Sequence, residues 1–178
     1  MRVPPQRLLI CFLGCTAALI GAVLLLRVTE HPWLLPSFGG SCVILFGMPR
    51  GIMAQPRSFL GGHLLSSLVG LLFHQGHLAF GGPVELWAAA AVGAGLALMM
   101  ATRTIHSPAG ANPLVVFAED AGWNFLLSPL LPGLAVLFAV AWATNNLPRP
   151  WGVGPWPRFL AQRARDVAPS AQSLGGPP

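Results

Sequence analysis

Lysine is absent from this chain, and charge of either sign is scarce. Ten arginines and five acidic residues make up 8% of 178 residues, where a soluble domain carries roughly 25% charged residues. With 54% apolar residues and long uncharged runs, that scarcity excludes an ordinary soluble domain and points to an integral membrane protein. A net charge of +5 in a soluble chain would suggest a nucleic-acid surface. Here the arginines punctuate apolar runs and gather near the C-terminus, so they read as topology determinants, and no nucleic-acid partner is expected. Cysteine is sparse too. Cys11, Cys15 and Cys42 all sit in apolar stretches without a C-x-x-C pair, which argues for small apolar roles and against a disulfide framework. H-E-x-x-H, G-x-S-x-G and P-loop patterns are missing. Glu119 and Asp120 are chain neighbours that would project differently on a helix, so they form no catalytic acid pair. No enzyme, cofactor or metal site is expected.

What is present is a series of apolar runs. Leu8 to Leu26 is uncharged for nineteen residues, enough to span about 30 Å of hydrocarbon at about 1.5 Å per residue. It is longer than the apolar core of a signal peptide, and a retained first span is expected. Leu34 to Met48 is shorter and opens with Pro36-Ser37-Phe38-Gly39-Gly40-Ser41. A basic, turn-rich connection from Pro49 to Arg57 precedes a span over Ser58 to Phe73, with small residues suited to close helix contact. His74 and His77 are expected in a Gly-rich loop, and without a third ligand they do not make a metal site. Glu85 to Thr102 is a further span; its Gly93 and Gly95 read as packing residues, not a phosphate loop. Pro108 to Ala118 is a second short segment. Trp123 to Leu147 is the last long run, which Pro129 and Pro132 should bend or break early. Trp123 and Trp142 suit membrane interfaces. Residues 148–178 read as a Pro/Gly/Arg-rich cytoplasmic tail unable to bury a core, hence disordered.

The expected fold is therefore an all-α membrane protein: four long transmembrane helices plus two short Gly/Ser/Pro-led membrane segments, with residues 1–147 as one transmembrane domain. The unit of long span, short segment and long span occurs twice, a candidate inverted repeat. If the short segments were re-entrant, Arg27, Arg50, Arg57 and Arg103 would all lie outside. If they cross, Arg2, Arg7, Arg50, Arg57, Arg103, Arg149, Arg158, Arg163 and Arg165 are cytoplasmic and only Arg27 is outside. The excess of arginine expected in cytoplasmic loops favours six crossings, with both termini inside. Paired interrupted segments in the two halves are a pointer to a midplane transport site.

The stretch from Arg103 to Leu114 is the focus of the functional reading. It places a guanidinium, an imidazole, a hydroxyl, an amide, two prolines and a glycine between apolar runs. At membrane depth such backbone is tolerated only where protein or a water-filled cavity satisfies it, and polar groups there are costly and often functional. A membrane-surface loop is the plainer alternative.

Several motifs together resemble the HPP transmembrane family: Ser37-Phe38-Gly39-Gly40-Ser41, Gln55-Pro56-Arg57 with Gly61-Gly62-His63, Arg103-Thr-Ile-His106-Ser107-Pro108-Ala-Gly110-Ala, and Asn145-Asn146. The resemblance covers about residues 8–147. It implies an integral membrane protein, held to be a transporter and usually described with four spans, and some plastid and cyanobacterial members are linked to nitrite movement. Here Ser107 replaces the middle residue of the family's His-Pro-Pro, which frees a backbone N–H and adds a hydroxyl.

The expected function is a transporter or channel-like permease of a bacterial inner membrane for a small solute, including an inorganic anion such as nitrite. The alternative is a structural or accessory membrane subunit that packs through its small-residue spans, and a homo-oligomer is compatible with either. Gly39, Gly40 and Gly110 would let a ligand approach the backbone. Ser37, Ser41, Ser107 and Asn112 could donate hydrogen bonds. Arg103 could attract an anion, close a gate or simply anchor topology. His63 and His106 could carry protons, or His63 could be a packed residue bonded across helices.

Overall fold

The computed structural model describes residues 3–28, 35–149, 151–153 and 156–157. Most of the tail expected to be disordered, and the connection at 29–34, lie outside the described residues. Within them every element is helical. The long helices are α1 (Pro5–Val28), α3 (Pro56–Phe80), α4 (Val84–Ala101) and α6 (Leu131–Asn145), and the short ones are α2 (Pro36–Cys42) and α5 (Asn112–Ala118). A π-helical turn, Val43–Gly47, continues α2, and a 3-10 turn, Ser107–Ala111, leads into α5. Proline stands in the first turn of α2, α3, α5 and α6, where its missing N–H has no partner to lose and its fixed φ suits a helix start. A chain with 18 prolines can therefore remain helical.

α1, α4 and the stretch Leu126–Asn145 are long and apolar enough to cross a membrane. The fourth long span expected from sequence is not confirmed. α3 is 25 residues long, but it buries Ser58, His63, Ser66, Ser67 and His74 along its length and does not qualify by apolarity. It is also longer than expected, because His74 and His77 lie inside it and not in a loop. Gly76 does not break the helix; it makes room for the Trp87 ring, which a Cβ there would meet at 2.8 Å. The proline break expected in the last run is present. Ser128 is extended (φ −153°, ψ 123°), and α6 begins at Leu131.

Packing follows from small residues. On α1, Gly14 lies against Thr144 and Gly21 against Val136, so α1 and α6 run antiparallel. α3 and α4 are antiparallel in the same way, with Ser66 beside Gly95 and Gly76 beside Trp87. α3 and α5 are parallel, since Gly70 meets Pro113 and Val116 while His74 meets Phe117. The first helix of each half thus packs on the last helix of the other. The short segments cross between these pairs, Gly40 resting on Pro108. The apolar core, including Phe38, Leu45, Phe46, Phe59, Leu71, Leu130, Leu134 and Leu137, fills the space around them.

This arrangement sorts charge to two ends. One end holds Arg7 and Arg149 with Arg50, and also Arg57, which donates to the Thr102 carbonyl, and its neighbour Arg103. At the other end lie Glu85, Glu119 and Asp120, with Arg27 closing α1. The arginine end is tied by Arg7, whose guanidinium donates to the carbonyls of Phe46 (2.7 Å) and Trp151 (3.2 Å) and to Asn145 Oδ1 (3.0 Å). Asn145 in turn donates to the Leu45 carbonyl at 3.0 Å. Arg7 and Asn145 together satisfy carbonyls that the π-helical turn leaves open, as helix C-termini require.

Candidate functional site

Three elements bring polar side chains to one buried point. α3 carries His63 and Ser67 one turn apart on its inward face. α2 carries Ser41. The segment after α4 carries His106 and then Asn112, the first residue of α5. Ser41, His63, Ser67, His106 and Asn112 are all fully buried. Close approach depends on Gly62, where a Cβ would lie 2.8 Å from the Thr104 carbonyl oxygen and 2.8 Å from His106 Cβ.

Ser41 Oγ lies 2.8 Å from His63 Nε2 and 2.9 Å from His106 Nε2. Its third neighbour is the Ser37 carbonyl, at 2.8 Å. His106 Nδ1 is 2.8 Å from the Met53 carbonyl. The Asn112 amide nitrogen is 3.0 Å from His63 Nδ1 and 2.8 Å from Ser67 Oγ. Buried polar groups need such partners, and here nearly every ring nitrogen position is dictated by its neighbour. A carbonyl can only accept, so His106 Nδ1 carries a hydrogen. The Asn112 N–H donates to His63 Nδ1, which leaves the hydrogen of neutral His63 on Nε2. His63 Nε2–H then donates to Ser41, whose single hydrogen has two acceptors in reach, the Ser37 carbonyl and His106 Nε2; turned to His106, it completes the row. The result is one directed chain of hydrogen bonds from Asn112 to the Met53 carbonyl. Aromatic edges confine it: Phe59 stands against both imidazoles, with ring centroids 5.5 Å and 5.4 Å apart, and Phe38 against His63 at 6.0 Å. Ser37 Oγ, Ser66 Oγ and Asn112 Oδ1 are buried without partners.

Of the residues singled out from sequence, the structure joins Ser41, His63, His106 and Asn112 directly, with Ser37 contributing its carbonyl. Gly40 is a packing contact against Pro108. A Cβ added at Gly39 or at Gly110 would meet nothing within 4 Å, and Gly39 and Ser107 are exposed. Arg103 is also exposed, with φ 56°, and stands at the arginine end, apart from the histidine pair. Sequence reasoning missed Ser67, Phe59 and the Met53 carbonyl. Ser67 was detectable as His63 plus one helical turn, whereas a backbone carbonyl leaves no mark in a sequence. His74 and His77 form no metal centre with their neighbours among the described residues.

An all-helical bundle with apolar spans, two interrupted segments and a buried polar network at their junction is the architecture of an integral, multi-pass membrane protein. The chain matches the family described as HPP, transmembrane region, over residues 1–152, and it belongs to that family. It is similar to two transmembrane proteins of Dictyostelium discoideum. One is 34% identical over 120 residues, covering 65% of this chain and 42% of the relative. The other is 33% identical over 138 residues, covering 74% and 44%. The chain therefore spans less than half the length of these relatives. No solved structure matches it.

Proposed function

We propose that this protein moves a small solute across a membrane through a site where its two interrupted segments meet. The observation that carries this reading is the Ser41–His63–His106–Asn112 network. Burying imidazoles and amides inside an apolar bundle is costly, and such groups mark solute or proton pathways. Paired broken segments in two inverted halves mark the same place, and the exchange of helix partners between the halves supports an inverted repeat. The order of elements along α3, α5 and α6 supports six passages, with the arginine end in the cytoplasm.

Charge favours an anion, with nitrite as the test case. The arginine end carries no acidic residue among those described, and a cleft of about 580 Å³ lined by Arg7, Arg50 and Arg149 opens there. Such a field raises the local concentration of anions. The purified chain in liposomes should therefore admit nitrite faster than protein-free vesicles. His63→Ala should abolish that difference while the protein remains folded.

A second reading, an accessory subunit, rests on α4. Ala89, Gly93 and Ala97 are exposed on one of its faces at the spacing that favours helix association. Absence of flux from the purified chain, together with recovery of a partner bound through α4, would favour it.

A further inference from the structure

We propose that the transport site is proton-coupled, and that Ser41 relays the proton between His63 and His106. This deepens the reading above and rests on it, although the relay itself can be tested without solute flux.

The argument begins with one hydroxyl proton and three acceptor positions. In the directed chain, Ser41 O–H points to His106 Nε2. If a proton enters at His63 Nδ1, the Nε2–H bond of His63 breaks and that hydrogen joins Ser41 Oγ. The original Ser41 hydrogen passes to His106 Nε2. One proton has entered at His63 Nδ1; the two bonds broken inside the network, His63 Nε2–H and Ser41 O–H, are replaced by a new Ser41 O–H and a His106 Nε2–H, and the added charge now sits on His106. The relay runs over donor–acceptor distances of 2.8 Å and 2.9 Å, within ordinary proton-transfer reach.

One spare acceptor fits this sequence. After transfer, His63 Nδ1 bears a hydrogen and can no longer accept from the Asn112 N–H. Asn112 Oδ1, buried and without a partner, becomes its acceptor once the amide turns. The hydrogen that Ser41 has received points back at the bare His63 Nε2, 2.8 Å away, so the hydroxyl keeps an acceptor after the transfer.

The surroundings favour a coupled carrier over an open proton channel. Among the described residues, no carboxylate, arginine or thiol is hydrogen-bonded to either ring. The groups facing the rings are Ser41 and Phe38 from α2, Phe59 from α3, Asn112 from α5 and the Met53 carbonyl. Met53 is 39% exposed, so the His106 end of the relay lies close to the arginine end. The next histidine up α3 is His74, eleven positions on, roughly 16 Å along the helix. The face between them holds Ser67, bonded to Asn112, and then Gly70 packed on Pro113 and Val116, where the row of polar side chains stops. The relay thus joins mid-depth, at His63, to the arginine end, at His106, and reaches no further.

The test uses the full chain in proteoliposomes loaded with a pH-sensitive dye, with sodium nitrite as the probe and protein-free vesicles as the baseline. Wild type should take up nitrite faster under an inward proton gradient and acidify the lumen as it does so. Ser41→Ala should lower the ratio of acidification to nitrite taken up ~10-fold or more, as removal of a positioned proton-transfer group demands. Ser41→Thr, which keeps the hydroxyl, should restore coupling. Wild-type nitrite flux that ignores the proton gradient, or full coupling in Ser41→Ala, overturns the proposal and leaves the transport reading standing. If no flux is found at all, the transport reading fails, and nitrogen-15 NMR of labelled histidine decides the relay alone. His63 should be the Nε2–H tautomer and His106 the Nδ1–H tautomer, with both signals moving together on acidification, and independently in Ser41→Ala. Identical tautomers, or independent titration in wild type, sink it.

Discussion

Asp120 Oδ1 lies 3.0 Å from His74 Nε2, and the Asp120 backbone reaches that position with φ 47°. The imidazole is buried while the carboxylate is largely exposed. The left-handed backbone is what turns the end of α5 back onto α3, and aspartate tolerates that region better than most residues. Two substitutions separate backbone from charge. Asp120→Gly keeps the conformation and loses the pair, so it should cost little, since exposed pairs are worth about 0–1 kcal/mol. Asp120→Val adds β-branched strain and should cost about 1–3 kcal/mol more. Thermal unfolding in detergent reads both, and equal losses would remove the backbone from the explanation.

Gly62 should be the least replaceable glycine near the histidine pair. A methyl there meets the Thr104 carbonyl and His106 Cβ, and overpacking of this kind costs about 1–3 kcal/mol. Gly62→Ala should lower the unfolding temperature and displace His106. Gly39→Ala and Gly110→Ala meet nothing within 4 Å and should leave stability unchanged. Loss of flux in either of these two, with stability intact, would put it on the solute path.

Gly133 and Phe38 form a size pair. A Cβ on Gly133 would overlap the Phe38 ring, which also faces His63. Gly133→Ala should destabilise the bundle, and Phe38→Leu in the same chain should recover part of that loss. The two changes share one space, so a double-mutant cycle should give a coupling of about 0.5–3 kcal/mol. Additive effects would mean that the ring does not lean on α6.

Arg7 holds the arginine end together. Arg7→Met removes donors from the Phe46 and Trp151 carbonyls and from Asn145. Leaving buried acceptors unpaired, together with losing charge-assisted bonds, should cost about 2–4 kcal/mol. Arg7→Lys should recover only part, since a compact ammonium cannot reproduce the fork of a guanidinium. Unfolding midpoints should fall from wild type to Arg7→Lys and again to Arg7→Met.

Orientation is checked by single cysteines in a chain lacking Cys11, Cys15 and Cys42. An impermeant thiol reagent added outside intact cells should label Glu119→Cys and spare Arg50→Cys. Labelling at Arg50→Cys would reverse the orientation, and labelling of both would mean that the short segments do not cross.

Much of this fold was legible because helix starts and small-residue contacts follow local rules. Pro36, Pro56, Pro113 and Pro132 mark first turns, and Gly14, Gly21 and Gly70 mark close helix approach. His63 and His106 were identifiable one by one, from polarity in apolar surroundings. Their union through Ser41 was not, because it depends on α2 crossing the segment before α5, a contact between residues 65 positions apart. His74 was misplaced for a different reason. Gly76 reads as a helix breaker until Trp87 is seen to pack on it. Arg103 lies exposed at the arginine end, a placement that a sequence cannot show, since it does not reveal which way a charged residue at a helix end turns.

The two ridges of α3 carry a consequence for how the protein is made. Leu64, Leu68 and Leu72 form an exposed ridge of moderate size, while serines and histidines occupy the opposite one. This helix is less apolar than α1 and α4, so hydropathy draws it into lipid less strongly. Its polar ridge must be shielded by neighbours, and its antiparallel partner α4 and parallel partner α5 are both synthesised later. Stable insertion of α3 should therefore depend on the helices made after it.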